Sequence, residues 1–227
     1  MQFTYYGHSC FEVVIKGKKI LFDPFIRYND LAKHIDIHSI KPDYIFLSHG
    51  HEDHIADAVF IAQQSGAKVV CSWEIASWLF KQGIENTHPM NTGGKWLFEF
   101  GTVKAVVANH SSGLPDGSYG GNPLGFVFMS EEGNFYYSGD TALTLDMQLI
   151  TKWTKLDFAV MPIGDNFTMD IADAVIAAEM IKCNKIVGVH YNTFGFIKID
   201  TEKAKNYFEE HQLQLLLPAI GETVDIH

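Results

Sequence analysis

At 227 residues, 47% hydrophobic and 13% aromatic, the chain can bury a sizeable core as one domain spanning residues 1–227. Its 27 acidic against 17 basic residues give a formal charge of −10 with no Lys/Arg cluster, which excludes a long polyanion footprint and with it a nucleic-acid partner. No apolar stretch approaches the roughly 20 residues that span a bilayer, and no basic-then-apolar leader opens the chain, so no membrane partner and a cytoplasmic location are expected.

Alternation through Phe3 and Tyr5, then Phe11, Val13 and Ile15, then Lys18–Phe22, with Gly7 and Gly17 between, predicts antiparallel strands joined by tight turns. Asp23-Pro24 ends this unit. A polar region with His34, Asp36 and His38 follows; the two histidines could share a helix face, but exposed polar decoration accounts for them more simply. The apolar run Asp43–Leu47 reads as a buried strand and leads directly into Ser48-His49-Gly50-His51-Glu52-Asp53-His54.

Helical spacing then covers 55–64, a short strand Lys68–Cys71, and a helix Trp73–Lys81, with Gly66 and Gly83 as stops. Residues 96–109 are strand-like, split by a Phe100-Gly101 turn, and lead to a Gly- and Ser-rich loop from His110 to Asn122, of a length that is usually functional or mobile. Strands at 125–129 and 135–138 precede Gly139-Asp140-Thr141, after which 143–153 looks helical. A strand-helix-strand unit follows over 158–163, 171–181 and 185–189, ending on His190; an amphipathic helix at 201–211 and a strand at 213–217 close the chain. Antiparallel ends around a middle that alternates strands and helices indicate an α/β protein with mixed sheets. Cys10, Cys71 and Cys183 are far apart, odd in number and free of CxxC spacing, which fits reduced, buried thiols.

Three imidazoles and a carboxylate within six residues are the chemistry of a metal site. His49 and His51 are two apart and project to one side of an extended segment, whereas Asp53 and His54 diverge by roughly 100° on entering a helix, so one short turn can serve two ions. His110, Asp140 and His190 each stand at the C-terminal end of a predicted apolar strand, where open α/β folds place their sites. Neutral imidazoles suit Zn2+, while two carboxylates bring enough oxygen to admit Mn2+ or Fe2+.

In order and spacing, His49-Gly50-His51-Glu52-Asp53-His54, His110, Asp140 and His190 resemble the motifs of the metallo-β-lactamase superfamily, and Asp23 resembles its first motif. The chain is also similar to the compact UPF0173-type metal-dependent hydrolases through Tyr6-Gly7-His8-Ser9, Gly139–Leu143, Met161–Met169 and His190–Phe194. The resemblance implies a four-layer αββα sandwich of two mixed sheets with the site on the edge between them. It also implies that His49, His51 and His110 hold one ion, that Asp53, His54 and His190 hold the other, and that Asp140 bridges. This chain departs from that branch in Thr168-Met169-Asp170-Ile171, where a Gly-Pro is usual after the Met, and in Asn192, where a Gly is usual. A Cys in place of Asp140 would suit a zinc β-lactamase, and a Glu in place of His51 with a flavin domain would suit a di-iron oxygen reductase; neither is present.

Two such ions would present a bridging hydroxide to a carbonyl carbon or phosphorus, so hydrolysis of a small ester, lactone or phosphodiester is expected, a metal-binding sensor or scaffold being the non-catalytic alternative. Asp53 and His8 are the candidate catalytic side chains. The resemblance puts the His8 turn at the mouth of the site, as a proton donor or substrate contact; a hydrogen-bonded structural histidine is the alternative. Asp23 is expected behind an imidazole, fixing its tautomer. Asp165 could act likewise or cap a helix. Tyr191 and the Ser111–Tyr119 loop are candidate substrate contacts.

Overall fold

The computed structural model describes residues 1–226. Strands β1 (Gln2–Gly7), β2 (Cys10–Ile15) and β3 (Lys18–Phe22) form the expected antiparallel meander, with Phe11 opposite both Tyr5 and Phe22. The chain then crosses over to run parallel through β4 (Tyr44–Phe46), β5 (Lys68–Cys71) and β6 (Thr87–Pro89). The crossovers carry helices α1 (Glu52–Ile55), α2 (Ala58–Ser65) and α3 (Trp73–Lys81).

The second sheet repeats this plan. Strands β7 (Lys95–Phe98), β8 (Gly101–Val107), β9 (Leu124–Ser130) and β10 (Gly133–Tyr137) are antiparallel, and β11 (Phe158–Pro162), β12 (Lys185–Val189) and β13 (Gln214–Leu216) continue parallel from β10. Helices α4 (Ile171–Ile181) and α5 (Thr201–Glu210) make its crossovers, and a last strand β14 (Thr223–Asp225) returns to pair with β1. Each sheet has seven strands.

Alternate residues explain the layering. Phe3, Phe11, Phe22 and Phe46 stack along the inner face of the first sheet, and Phe98, Phe100, Phe128, Phe135 and Phe158 along that of the second. The two ladders meet edge to face, as at Phe22–Phe128 (5.4 Å) and Phe46–Phe126 (5.2 Å), an arrangement that suits the ring quadrupoles. The outer faces bury separate clusters: Ile45, Val69 and Ile61 with Leu79 on one side, Val127, Met161 and Ile186 with Val175 on the other. Helices, sheet, sheet and helices therefore stack as four layers, as the resemblance implies.

Four places depart from the sequence reading. The helix expected over 55–64 is broken into α1 and α2, because the buried Asp57 turns its carboxylate onto the Ile26 and Arg27 amides (2.6 and 2.9 Å) and its own N–H onto the Pro24 carbonyl. The segment expected to be helical over 143–153 is a 3₁₀ helix, Leu145–Lys152, whose buried Met147 and Ile150 are three apart, the period of that helix. Strands β6 and β14, three residues each, are too short to show alternation in sequence.

Candidate metal centre

The site is assembled from strand ends. Asp23 follows β3, Ser48-His49 follows β4, His110 follows β8, Asp140 follows β10 and His190 follows β12, all at one edge of the two sheets. His51 is extended and leads into α1, so Asp53 and His54 occupy that helix's first turn and point apart as their adjacency requires.

The seven expected ligands converge. The rings of His49, His51 and His110 lie with centroids 4.5 to 5.1 Å apart, and His49 Nε2 is 2.9 Å from His51 Nδ1. Asp140 Oδ2 sits 3.0 Å from His190 Nε2, 3.2 Å from His54 Nε2 and 3.7 Å from His110 Nε2, in the middle of the group. Asp53 Oδ2 lies 3.9 Å from the Nε2 atoms of both His54 and His190.

Several of these atoms are buried without a protein hydrogen bond: His54 Nε2, His190 Nδ1 and Asp140 Oδ1. Buried polar atoms are nearly always partnered, and a cluster of imidazole nitrogens with carboxylate oxygens is the donor set of a first-row divalent cation, so the residues fit a metal.

Charge follows from the same crowding. Burial alone would lower the His54 pKa, but Asp140, Asp53 and Asp23 outweigh it and hold the ring well above its ordinary value. Burial also opposes ionisation of Asp140, yet His190 and His54 carry its pKa well below the carboxylate range; Asp53 is pulled down likewise by His54 and His8. His49, His51 and His110 are lowered, chiefly by burial, and so stay neutral.

Asp23 stands behind His54. Its Oδ2 is 2.8 Å from His54 Nδ1, its Oδ1 accepts the Ser48 amide (2.7 Å), and the hydroxyls of Ser48 and Tyr137 also donate to Oδ2. That fixes Nδ1–H and turns Nε2 toward Asp140. Ser48 Oγ is also 2.9 Å from His49 Nδ1.

His8 is 1% exposed, with Nε2 3.0 Å from Asp53 Oδ2 and Nδ1 2.9 Å from Thr193 Oγ1. Phe25 and Phe194 flank it edge-on. Asp165 is exposed and bonds its neighbour's amide, while α4 is capped by Asp170, whose side chain accepts from Asp173 N (2.8 Å). His34 and His38 stay outside the cluster; one bonds the Ile220 carbonyl and the other packs on Phe60.

The Ser111–Tyr119 loop is tied down. Ser112 Oγ accepts the Gly50 amide and Ser111 Oγ lies 3.2 Å from His51 Nε2, while Gly113 pairs with Tyr119. Asn192 takes a left-handed φ of +61°, a conformation that asparagine adopts more readily than most residues with a side chain.

Sequence reasoning passed over Ser48, Tyr137 and Thr193. Period-2 alternation turns Tyr137 inward and Tyr136 outward, but nothing in the chain pairs Tyr137 with Asp23, 114 positions away.

A profile of the Beta-lactamase superfamily domain matches residues 18–191. A UPF0173 metal-dependent hydrolase of Christiangramia forsetii is 53% identical over 227 residues, all of both chains. The chain belongs to the UPF0173 metal-dependent hydrolases. Another UPF0173 metal-dependent hydrolase, from Flavobacterium johnsoniae, is 50% identical over the whole of both chains. Among solved structures, the metallo hydrolase Igni18 of the archaeon Ignicoccus hospitalis superposes with a TM-score of 0.88 at 32% identity, covering 98% of this chain and 97% of its own. The strand-end cluster therefore belongs to a UPF0173 metal-dependent hydrolase. Among the described residues no helix is long and apolar enough to cross a membrane.

Proposed function

We propose that residues 1–227 act as one hydrolase unit holding two divalent cations, Zn2+ first and Mn2+ or Fe2+ as alternatives, and that it cleaves a small ester, lactone or phosphodiester. His49, His51 and His110 would hold one cation, Asp53, His54 and His190 the other, with Asp140 shared. One observation carries this reading: a single oxygen, Asp140 Oδ2, lies within 3.7 Å of imidazole nitrogens from both triads while Asp140 Oδ1 is left buried without a hydrogen bond.

When bound, such cations supply the positive charge that acidifies water and polarises a carbonyl or phosphoryl oxygen. The protein's own part is placement. Asp23 holds the His54 tautomer, and Ser48 steadies His49. The Asp53 side chain is 27% exposed against 3% for Asp140, which makes it the carboxylate that substrate meets. Because His8 engages Oδ2, Oδ1 is left to accept a proton from the attacking water and hand that proton on to the leaving group.

A cleft of about 380 Å³ opens beside His110, lined by Ser111, Ser118, Tyr119 and Asn122, a size for a small molecule rather than a polymer. The three cysteines are free and buried, which supports a reducing, cytoplasmic setting. Metal analysis by mass spectrometry, paired with generic ester, lactone and phosphodiester substrates, tests the reading. Two equivalents of metal with turnover of one class is expected; metal-loaded protein that cleaves none would favour a sensor or scaffold.

A further inference from the structure

The His8 ring is held from every side. Its carbonyl accepts both the Tyr5 hydroxyl (3.0 Å) and the His190 amide (2.9 Å), so the turn after β1 in one sheet is tied to the end of β12 in the other. Residues Gly7 and His8 take φ of +102° and +55°, the left-handed turn that aims the ring back between the sheets. There it packs at 4.2 Å from the His190 ring and between Phe25 and Phe194.

At 1% exposure the ring is buried, and each of its nitrogens has a protein partner. A carboxylate only accepts, so Nε2 must be the donor to Asp53 Oδ2. A neutral ring then leaves Nδ1 as an acceptor, and the Thr193 hydroxyl at 2.9 Å directs its one proton to this nitrogen in preference to the Tyr191 carbonyl at 3.4 Å. Asp53 itself sits in the first turn of α1 with 27% of its side chain exposed, so burial alone does not hold it in place.

We infer that Thr193 and His8 are positioning residues for Asp53: the Thr193 hydroxyl orients the His8 ring, and the His8 Nε2–H fixes Asp53 Oδ2 toward the His54 and His190 nitrogens. This inference rests on the proposed two-cation reading. His8 shares a cluster with Asp53, His54 and His190 whose ligand-type atoms lie within 4.8 Å of one another, but with its Nε2 proton committed to Asp53 Oδ2 it acts through that carboxylate. A lost partner of this kind weakens metal binding about ten- to a hundredfold.

The test is metal stoichiometry after equilibrium dialysis of the full chain against buffered free zinc, with melting curves to confirm folding. At a free zinc level where the wild type retains two ions, His8→Phe, which removes the donor and keeps the bulk, is expected to retain one. His8→Gln, which restores an N–H near the Nε2 position, is expected to retain two. Thr193→Val should shift the second binding step in the same direction by a smaller factor, and Thr193→Ser should restore it; this pair reads the same quantity if His8→Phe does not fold. Two ions held by His8→Phe or Thr193→Val at wild-type affinity would overturn the inference. Loss of the second ion in both His8→Phe and His8→Gln would also overturn it, by making His8 a ligand. A wild type that retains fewer than two ions fails the underlying reading instead, and the inference falls with it.

Discussion

Asp23 accepts four hydrogen-bond partners at a fully buried position, the Ser48 amide and hydroxyl, Tyr137 and His54, and so converts the packing of one sheet edge into the orientation of a single imidazole. Asp23→Asn keeps the shape but offers an amide where three donors converge. It is expected to weaken metal binding about ten- to a hundredfold, read by zinc titration of the metal-free protein. The histidines also set a pH profile. His54, raised in the fold by its three carboxylates, keeps a proton above the ordinary histidine value of about 6.5, where the unfolded chain has lost it. Its stabilising contribution is therefore complete below that value and is lost as pH rises through the raised one. His49, His51 and His110, lowered by burial, act in the opposite sense: below about 6.5 the unfolded chain takes up protons that the fold refuses. Thermal melts of metal-free protein across pH 5 to 9 should peak near neutrality and fall to either side; a monotonic rise would contradict the assignment of His54. The cluster from His49 to His54 was legible as a set of ligand-type side chains because residue type and spacing are local. Thr193 and Tyr137 were not, because their roles lie in partners 185 and 114 positions away.

Elements place these side chains through their ends, and the glycines there leave little room. A Cβ on Gly164, after β11, would meet the His190 carbonyl oxygen at 2.0 Å, and one on Gly139, at φ +61°, would meet the Leu124 carbonyl and Ser48 Cβ at 2.8 Å. Gly164→Ala should therefore push the His190 segment outward. A loss of about 1–3 kcal/mol, the usual cost of overpacking, is expected in denaturant melts together with a weakened second metal step. Stability without change in metal binding would show that the segment yields elsewhere. Strand positions were readable because inward and outward residues alternate, and the stops at Gly66 and Gly83 because glycine tolerates positive φ at helix ends. The break between α1 and α2 was hidden: Asp57 is drawn out of the helix by amides 30 and 31 residues earlier, an attraction that no helical period records.

At the scale of the whole molecule, two similar seven-stranded sheets pack face to face on ladders of phenylalanine, and the site lies where their strand ends meet. The triads draw on both sheets: His49 and His51 follow a strand of the first, His110 and His190 strands of the second. Metal should then act as a clasp across the sandwich. At free zinc a hundredfold above its dissociation constant, each of the proposed sites would add about 2.7 kcal/mol to the folded state. Chelation is accordingly expected to lower the melting temperature by roughly 5–10 °C per ion removed, restored on adding zinc; an unchanged melt would mean that the ions bind without bridging the fold. The sequence alone determined the candidate side chains of the site, the strand ends on which they stand, the family and the mixed α/β plan, since spacing, alternation and motif are properties of neighbouring residues. Only the tertiary structure decided which imidazole Asp23 serves, that Ser48 and Tyr137 hold Asp23 there, and that His8 turns inward to Asp53. Those relations arise from the register of one sheet against the other, which is set by long-range packing that no local pattern encodes.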